Sequence, residues 1–349
     1  MVEGPAENPA FKFKYLNERG QETGFLSTKG RFDGSHLHLG ETAIPANAII
    51  HVDNRENRVV LSVAQKEGPP ATILFAVTGG SVVALKAALG RVRSAAWAAS
   101  HRDELKSQGR EHEFRAVDCP HCNATIDLSG FRESPQVNCN FCHTISTLHA
   151  PLAEATQYRI CDECGMYSKP RKFTIFYFYF LLVVYGWHSR STWRCPACMR
   201  GDAWKMLFGN LVFVLGVPVA IVQLIRAYGG ADLKSMYRGL DSANLKARKG
   251  DLATAISEYR KILESHPHAA GVKYNIGLAM VQQNFMDAAA QTLDAALNDC
   301  CNYQPAAQLL AHCYTQLNEP EKLAALKAEW GTAEDGNSLD ERKDEDAVE

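Results

Sequence analysis

The sequence predicts a multidomain α+β protein, with a β-rich N-terminal domain closed by a long helix, a cysteine-rich middle, an apolar segment and a C-terminal array of helices. Three observations predict it. Apolar and polar residues alternate early in the chain, eight of the eleven cysteines form four Cys-x-x-Cys pairs, and small residues recur every 34 positions near the C-terminus. A chain of 349 residues is long enough for several domains.

Charge and the two termini narrow the class of protein. The chain carries 37 Lys and Arg against 39 Asp and Glu, a balance that does not indicate a polyanion-binding protein. Residues 1–10 and the acidic tail 332–349 are expected to be disordered. The N-terminus lacks a basic start followed by an apolar core, so we expect no cleaved secretory signal. Because no nucleophile triad, phosphate loop or dinucleotide turn is recognisable, we expect no enzymatic activity.

Residues 11–108 read as short antiparallel strands followed by one helix. Phe11 and Phe13 fall on one face of the first strand, and Lys12 and Lys14 fall on the other. This order of elements resembles the pleckstrin-homology-like barrel, which implies a β-barrel or roll with a C-terminal helix. Such domains often bind lipid headgroups or peptides, and an unspecialised barrel is the alternative. The helix that follows Ser81 has an apolar stripe formed by Val82, Leu85, Leu89, Val92 and Ala96.

Two Cys-x-x-Cys pairs lie within residues 114–150, as "CPHC" at 119–122 and "CNFC" at 139–142. The spacing between them allows a short hairpin that returns the chain with four thiolates in a tetrahedron, the arrangement of structural Zn²⁺ sites. The segment 117–148 resembles the zinc-ribbon family, whose fold depends largely on the metal. The residues that match its ligands are Cys119, Cys122, Cys139 and Cys142.

Three other kinds of site compete with structural zinc in this segment: a haem attachment site, a redox dithiol and a catalytic zinc site. "CNFCH" fits the pattern of covalent haem c attachment, but the second cysteine pair at ribbon distance favours zinc. A redox dithiol needs one pair after a strand, whereas four matched pairs favour coordination. A catalytic zinc is disfavoured because four thiolates leave no open position for water. The nearby His121, His143 and His149 are expected to be bystanders.

Residues 158–200 repeat the pattern with a longer gap. The predicted ligands are Cys161, Cys164, Cys195 and Cys198, and the gap contains "FTIFYFYFLLVVYGW" at 173–187. This run is too long for one usual strand and, as a helix, too short to cross a bilayer. We therefore expect it to enter one leaflet and return, or to lie at the interface, with both knuckles on the same side.

That layout is similar to the LITAF-type domain, in which an apolar, membrane-inserted stretch interrupts a zinc ribbon between its two knuckles. The resemblance implies a second structural Zn²⁺ ion and contact with membrane lipid through 173–187. The sequence departs from the family at "TWRCPAC", before the last knuckle. The alternative is a soluble ribbon whose aromatic strands pack against a neighbouring domain or a partner.

Residues 204–228 are predicted to form a transmembrane or re-entrant helix. The stretch 206–225 holds no formal charge, is long enough to cross a bilayer as a helix, and is bounded by Lys205 and Arg226. Gly216 and Pro218 in its middle also permit a re-entrant hairpin. Because basic residues flank it on both sides, we expect the soluble domains to lie on the cytoplasmic face.

The region 236–331 carries the 34-residue period, seen in Ala243, Gly277 and Ala311. It resembles tetratricopeptide repeats, with a degraded third copy. The family implies an α-solenoid that binds extended peptides in a concave groove and has no catalysis of its own. The remaining cysteines are expected to be small buried residues of these helices; they are Cys300, Cys301 and Cys313.

Residues on the first helix of each repeat are the candidate peptide ligands. Asn244 and Asn275 match the asparagines that family members place in the groove, and Leu240, Pro305 and Leu309 stand where basic residues would hold a carboxylate, so we do not expect a carboxylate clamp. The full candidate set is Asn244, Asn275, Tyr274, Gln308 and His312.

Together these patterns favour a non-catalytic, membrane-associated scaffold that is stabilised by two Zn²⁺ ions and recruits a protein or peptide through residues 236–331. Two alternatives stay open. A nucleic-acid-binding or transcription-related zinc-ribbon factor would need exposed basic and aromatic residues around the knuckles, where residues 117–150 offer Arg132 as their one base. A dithiol redox protein would lack zinc and reduce disulfides.

Overall fold

The computed structural model divides the chain into two units, Met1–Ser129 with Cys139–Cys142, and Gly130–Asn138 with His143–Glu349. The predicted disordered tail 332–349 and most of the predicted disordered N-terminus lie outside the described residues. The structure describes residues 9–17, 20–24, 26–55, 57–65, 68–147, 155–181, 184–210, 217–228 and 235–331.

A seven-stranded antiparallel sheet forms most of the first unit, in the order β4-β3-β2-β1-β7-β6-β5. The alternation predicted for the first strand is present, because Phe11 and Phe13 are buried while Lys12 is exposed. Phe13 packs edge-on against Phe75, with ring centroids 5.5 Å apart. The strands are β1 (Ala10–Tyr15), β2 (Thr28–Phe32), β3 (His36–Leu39), β4 (Thr42–Pro45), β5 (Ile49–Arg55), β6 (Arg58–Val63) and β7 (Ala71–Gly79).

One long helix, α1 (Val82–Ser107), follows the sheet. Ser81 caps it, since its Oγ accepts a hydrogen bond from the backbone N–H of Ala84 at 3.2 Å. Leu85 and Leu89 are fully buried in the core of the sheet, and Val82 and Val92 pack against that core. The predicted apolar stripe is therefore the face that α1 turns toward the strands.

The first cysteine-rich domain consists of two hairpins, β8 (Ala116–Asp118) with β9 (Thr125–Asp127) and β10 (Gln136–Asn138) with β11 (Ile145–Thr147). The first hairpin belongs to the first unit and is bound to α1. Ser94 Oγ accepts a hydrogen bond from the backbone N–H of Thr125 at 2.9 Å. The second hairpin belongs to the second unit.

The second cysteine-rich domain contains a short hairpin, β12 (Arg159–Ile160) with β13 (Tyr167–Ser168), and a long one, β14 (Arg171–Leu181) with β15 (Val184–Arg194). The apolar run 173–187 is therefore divided between two strands that pair residue for residue from Arg171–Arg194 to Leu181–Val184. The run is too long for one strand of usual length, and the structure instead has two strands of 11 residues each.

Two helices follow, α2 (Pro196–Asn210) and α3 (Val217–Tyr228). They run antiparallel, because Arg200 near the start of α2 donates from Nε to the carbonyl of Ala227 near the end of α3 at 3.3 Å. The expectation of one continuous helix over 206–225 is not met: these residues belong to both helices, with 211–216 outside the described part. Pro218 lies in the first turn of α3, where its missing N–H costs little.

A search of the described residues finds no helix with the length and apolar character that a bilayer crossing requires.

The C-terminal region is an array of six helices that resembles tetratricopeptide repeats. Of the predicted small residues, Ala243 is fully buried and Ala311 is half-buried. A Cβ atom at Gly277 would lie 2.6 Å from Cγ of Leu293, so glycine allows the close approach of two helices there. The helices are α4 (Leu240–Arg248), α5 (Leu252–Ser265), α6 (Ala270–Gln282), α7 (Met286–Asp299), α8 (Gln304–Gln316) and α9 (Pro320–Gly331).

Candidate metal centres and the groove of the helical array

The structure brings the eight predicted cysteine ligands together in two clusters of four. In each cluster the four sulfur atoms lie within 4.8 Å of one another. All eleven cysteines are free thiols, and every one is buried or half-buried. The first cluster is Cys119, Cys122, Cys139 and Cys142; the second is Cys161, Cys164, Cys195 and Cys198.

The separations between sulfur atoms fit one Zn²⁺ ion in each cluster. Four sulfurs at about 2.3 Å from a tetrahedral Zn²⁺ lie roughly 3.8 Å apart. In the first cluster, Sγ of Cys122 lies 3.5 Å from Sγ of Cys139. In the second, Sγ of Cys164 lies 3.8 Å from Sγ of Cys195. The donor set and the geometry therefore fit a closed structural site.

In three of the four Cys-x-x-Cys pairs, a tight backbone turn directs both sulfur atoms toward the centre of the cluster. The residue after the second cysteine of a pair turns into the left-handed region at Asn123, His143 and Gly165, with φ of 54°, 58° and 67°. In the second cluster, the N–H of Gly165 bonds the carbonyl of Cys161 at 3.0 Å, which closes the turn. The last pair differs, because Cys195 immediately precedes α2 and Cys198 lies in its first turn. The positive end of a helix favours thiolates there.

The thiols of the second cluster titrate together. Hydrogen bonds from the thiols of Cys164, Cys195 and Cys198 lower the pKa of Cys161. Hydrogen bonds with the other three sulfurs, and then burial, raise the pKa of Cys195. Binding of a cation by all four sulfurs as thiolates would therefore release protons.

Arg248 joins the second cluster to the helical array. It lies in the last turn of α4 and donates from Nη1 to Sγ of Cys198 at 3.1 Å. Burial opposes its charge, but the nearby cysteine sulfurs of Cys198, Cys164 and Cys195 outweigh burial and raise the pKa of Arg248. A Zn²⁺ ion with four thiolates carries a net charge of −2, so an adjacent guanidinium stabilises it. The sequence showed Arg248 as one of several basic residues and gave no sign of this role.

Asn275, a predicted peptide ligand, binds the backbone of the second cysteine-rich domain. The first and second cysteine-rich domains are called the first and second ribbon below. Its Oδ1 accepts a hydrogen bond from the N–H of Tyr167 at 2.7 Å, and its Nδ2 donates to the carbonyl of Tyr167 at 2.7 Å. The side-chain amide thus pairs with β13 as a neighbouring antiparallel strand would. Both residues are buried.

Asn244 and Tyr274, two more predicted ligands, contact the same segment. Asn244 Nδ2 donates to the carbonyl of Tyr167 at 3.0 Å, and Tyr274 Oη donates to the carbonyl of Gly165 at 3.1 Å. Asn244 is oriented by Tyr259, whose hydroxyl donates to Asn244 Oδ1 at 2.7 Å. The surface formed by Asn244, Tyr274 and Asn275, called the groove below, therefore contacts a segment of its own chain that includes Gly165 and Tyr167.

A second asparagine binds the first ribbon in the same way. The N–H of Asn138 in β10 donates to Oδ1 of Asn302 at 2.8 Å, and Nδ2 of Asn302 donates to the carbonyl of Asn138 at 2.8 Å. Sequence reasoning missed Asn302, which lies in the loop between α7 and α8 rather than on a helix. Its position directly after Cys301 carried no pattern that could have identified it.

The two remaining predicted ligands lie on α8. Gln308 is half-buried and His312 is exposed. The hydrogen bonds described between the ribbons and the groove do not involve either residue.

The side chain of Tyr167 lies in an aromatic pocket, next to the hydrogen bonds that Asn244 and Asn275 make with its backbone. Its ring lies 5.9 Å from that of Tyr158 and 6.2 Å from that of Tyr237. A Cβ atom at Gly271 would lie 2.4 Å from Cδ1 of Tyr167, so the first turn of α6 must be glycine there. Burial raises the pKa of Tyr167 well above its usual value, and the phenol stays neutral.

An apolar face covers one side of α2 and α3. Trp204 stacks on Phe208 with ring centroids 5.8 Å apart, and its Nε1 donates to the hydroxyl of Tyr228 at 3.1 Å. Phe208 is 63% exposed and Ile225 is 66% exposed, values that are unusual for large apolar residues. This α2–α3 face is formed by Trp204, Phe208, Ile221, Val222, Ile225 and Tyr228.

An open groove of about 760 Å³ lies on the sheet of the first unit. Lys12 of β1 is directly opposite Lys29 of β2. Arg31 of β2 also lines the groove and is directly opposite His38 of β3, whose Nε2 lies 2.6 Å from a carboxylate oxygen of Asp33. Like charges on facing positions destabilise a sheet, so an anion bound between Lys12 and Lys29 would be favourable.

Comparison with known proteins gives limited similarity. Neither a protein-family model nor a curated protein matches the chain. The solved structure "MamA MSR-1 C2" is 18% identical, and the match covers 38% of this chain and 76% of that one with a TM-score of 0.26. A MamA structure of AMB-1 is 19% identical, with 39% and 74% covered and a TM-score of 0.26. Similarity at this level leaves the function to be argued from the sites.

Proposed function

We propose that this chain is a non-catalytic protein-interaction scaffold that is stabilised by two structural Zn²⁺ ions and associates with a membrane. The observation that carries the proposal is the pairing of Asn275 with the backbone of Tyr167. It supports a helical array that recognises extended polypeptide through side-chain amides, which is how a scaffold binds a peptide of variable sequence. Partner recruitment is assigned to residues 236–331, where Gln308 and His312 are the candidate contacts.

Zinc has a structural role in this proposal. Both clusters offer four thiolates, so a bound Zn²⁺ ion has no open coordination position for water or substrate. What zinc supplies is folding free energy, because the short strands of the two ribbons have little apolar core of their own. Free cysteines of this kind persist in a reducing compartment, which supports a location on the cytoplasmic face.

Membrane association is proposed for the α2–α3 face. The face is apolar, and Lys205 and Arg226 flank it with exposed positive charge. An apolar surface with a basic rim binds at the interface of an anionic bilayer without crossing it. The β14–β15 hairpin is a neighbour, since Arg226 Nη2 donates to the carbonyl of Lys172 in β14 at 3.3 Å. The LITAF-type resemblance is kept as a proposal on this ground.

The first unit is a second candidate for membrane contact. Its pleckstrin-homology-like resemblance implies a lipid headgroup or peptide ligand, and the groove beside Lys12, Lys29 and Arg31 offers the positive charge that an anionic headgroup needs. In this proposal each unit binds an anionic membrane surface, and the two units do so by different physical means. Salt would weaken the electrostatic contact of the first unit far more than the apolar contact of the α2–α3 face.

Co-sedimentation of the full chain with vesicles tests membrane association. We expect the protein to pellet with vesicles of phosphatidylcholine and phosphatidylserine, and Phe208→Asp with Ile225→Asp to reduce the bound fraction severalfold. Phe285→Asp, which removes an exposed apolar residue outside both proposed membrane contacts, is the matched control and should bind like the unaltered protein. Lys12→Ser with Lys29→Ser should reduce only the salt-sensitive part. An unaltered chain that stays in the supernatant at low salt contradicts the proposal.

A further inference from the structure

We propose that the groove around Asn244, Tyr274 and Asn275 is a binding site for an extended peptide with an aromatic residue, and that β13 fills it in cis until zinc leaves the second cluster. The proposal goes beyond the scaffold function, because it names the ligand of the groove and what controls access to it. It rests on the scaffold proposal only in assigning the groove to peptide binding.

The contacts show recognition of backbone rather than of a particular sequence. Asn275 and Asn244 together make three hydrogen bonds with the N–H and C=O of Tyr167. Any residue in an extended conformation presents the same two groups. The aromatic pocket beneath, which includes Tyr237 and closes on Gly271, supplies the preference for a flat side chain.

The occupant of the groove is held weakly by its own ribbon. β13 is two residues long and pairs with the two residues of β12. The knuckle fixes its position, since the N–H of Cys161 bonds the carbonyl of Met166 at 2.9 Å, one residue before Tyr167. A knuckle that loses its metal loses the turn that delivers Tyr167 to Asn275.

Occupation in cis reduces the apparent affinity for a peptide in trans. The apparent dissociation constant rises by the inverse of the fraction of molecules whose groove is free. The same contacts therefore make a closed site in the zinc-loaded protein and an open site in the protein whose second cluster is empty. The physical signal is metal occupancy of Cys161, Cys164, Cys195 and Cys198.

The probe is a fluorescent peptide with the sequence of residues 162–169 and serine in place of Cys164, titrated into the full zinc-loaded chain. We expect Tyr167→Ala, which empties the pocket without touching a ligand, to bind the peptide about tenfold more tightly than the unaltered protein. Adding Asn275→Ala should abolish that gain. A peptide with alanine at the tyrosine position should not bind. Zinc content and the helical circular dichroism signal are recorded for each variant.

Several results would overturn the proposal. One is a Tyr167→Ala chain that keeps two zinc ions and its helical signal and binds no better than the unaltered protein. Another is binding that is indifferent to Asn275→Ala. If Tyr167→Ala does not fold, zinc is withdrawn from the unaltered chain with a chelator and restored. Peptide binding must then rise and fall reversibly, and a collapse of the helical signal would show that no separate groove exists. Vesicle binding is measured independently, so failure of the membrane-association part of the proposed function is recognised separately.

Discussion

Arg248 Nη1 lies 3.1 Å from Sγ of Cys198 and donates a hydrogen bond to it. The contact joins the last turn of the first array helix to the metal cluster of the second ribbon. Since the cluster carries excess negative charge when zinc is bound, the guanidinium acts as a second layer of coordination. Metal affinity and the stability of the helical array should therefore depend on each other.

Replacing Arg248 with methionine should weaken zinc binding at the second site about tenfold or more, because outer partners of metal ligands typically contribute that much. The measurement is competition with a chromophoric chelator on the full chain. Arg260→Met changes an exposed arginine on α5 and is the control; it should leave zinc affinity unchanged. Equal affinities for the two variants would show that Arg248 does not support the cluster.

Replacing Asn302 with alanine should destabilise the chain by about 2 to 4 kcal/mol, because the buried backbone N–H and C=O of Asn138 would each lose the hydrogen bond with Asn302. Denaturant unfolding followed by circular dichroism measures the change. Gln291→Ala, at an exposed position of α7, should stay within about 0.5 kcal/mol of the unaltered chain. A harmless Asn302→Ala would mean that this clamp does not hold the ribbon.

Two glycines in helices should respond in opposite directions to alanine. Gly277→Ala should destabilise by about 1 to 2 kcal/mol, since the new methyl group would lie 2.6 Å from Cγ of Leu293 in a tight helix crossing. Gly201→Ala, where no atom lies within 4 Å, should stabilise by about 0.5 to 1 kcal/mol through helix propensity alone. Unfolding midpoints compare the two. A shift in the same direction for both would contradict the predicted close packing of α6 and α7.

Thiol reactivity should separate the metal ligands from the structural cysteines. With zinc bound, alkylation should be slow at all eight ligands, and chelation should expose them to the reagent. Cys300 and Cys313 should stay protected, since burial raises the pKa of Cys300 well above its usual value and the pKa of Cys313 to about 11. Mass spectrometry of tryptic peptides locates the label. Rapid labelling of Cys313 in the folded chain would contradict its burial.

The features that sequence predicted well are those encoded locally. The two thiols of each Cys-x-x-Cys pair are close in sequence, and two pairs meet where the chain folds back between them. All eight predicted ligands accordingly lie in the two clusters. The 34-residue period likewise marked Gly277, which allows α6 and α7 to approach closely, and Ala243, which is fully buried. Hydropathy was less informative over 206–225, where it could not show that the apolar residues belong to two antiparallel helices.

What sequence could not predict is which distant segments meet. Tyr167 and Asn275 are 108 positions apart and are joined by hydrogen bonds between the side-chain amide of Asn275 and the backbone of Tyr167, which leave no residue pattern in β13. The sequence could therefore mark Asn275 as a candidate ligand of extended polypeptide, but it could not show which segment Asn275 contacts. The β14–β15 hairpin was expected only as the alternative of aromatic strands, because no glycine, asparagine or aspartate precedes Gly186 in the apolar run to mark a turn.

The central claim is that two Zn²⁺ ions, each bound by four thiolates, hold the ribbons that the helical array clamps. Elemental analysis of the purified full chain by mass spectrometry tests it most directly. We expect two zinc ions per chain, one ion after Cys119→Ser with Cys122→Ser, and one ion after Cys161→Ser with Cys164→Ser. A chain that contains no zinc and whose paired cysteines are oxidised to disulfides would contradict the account.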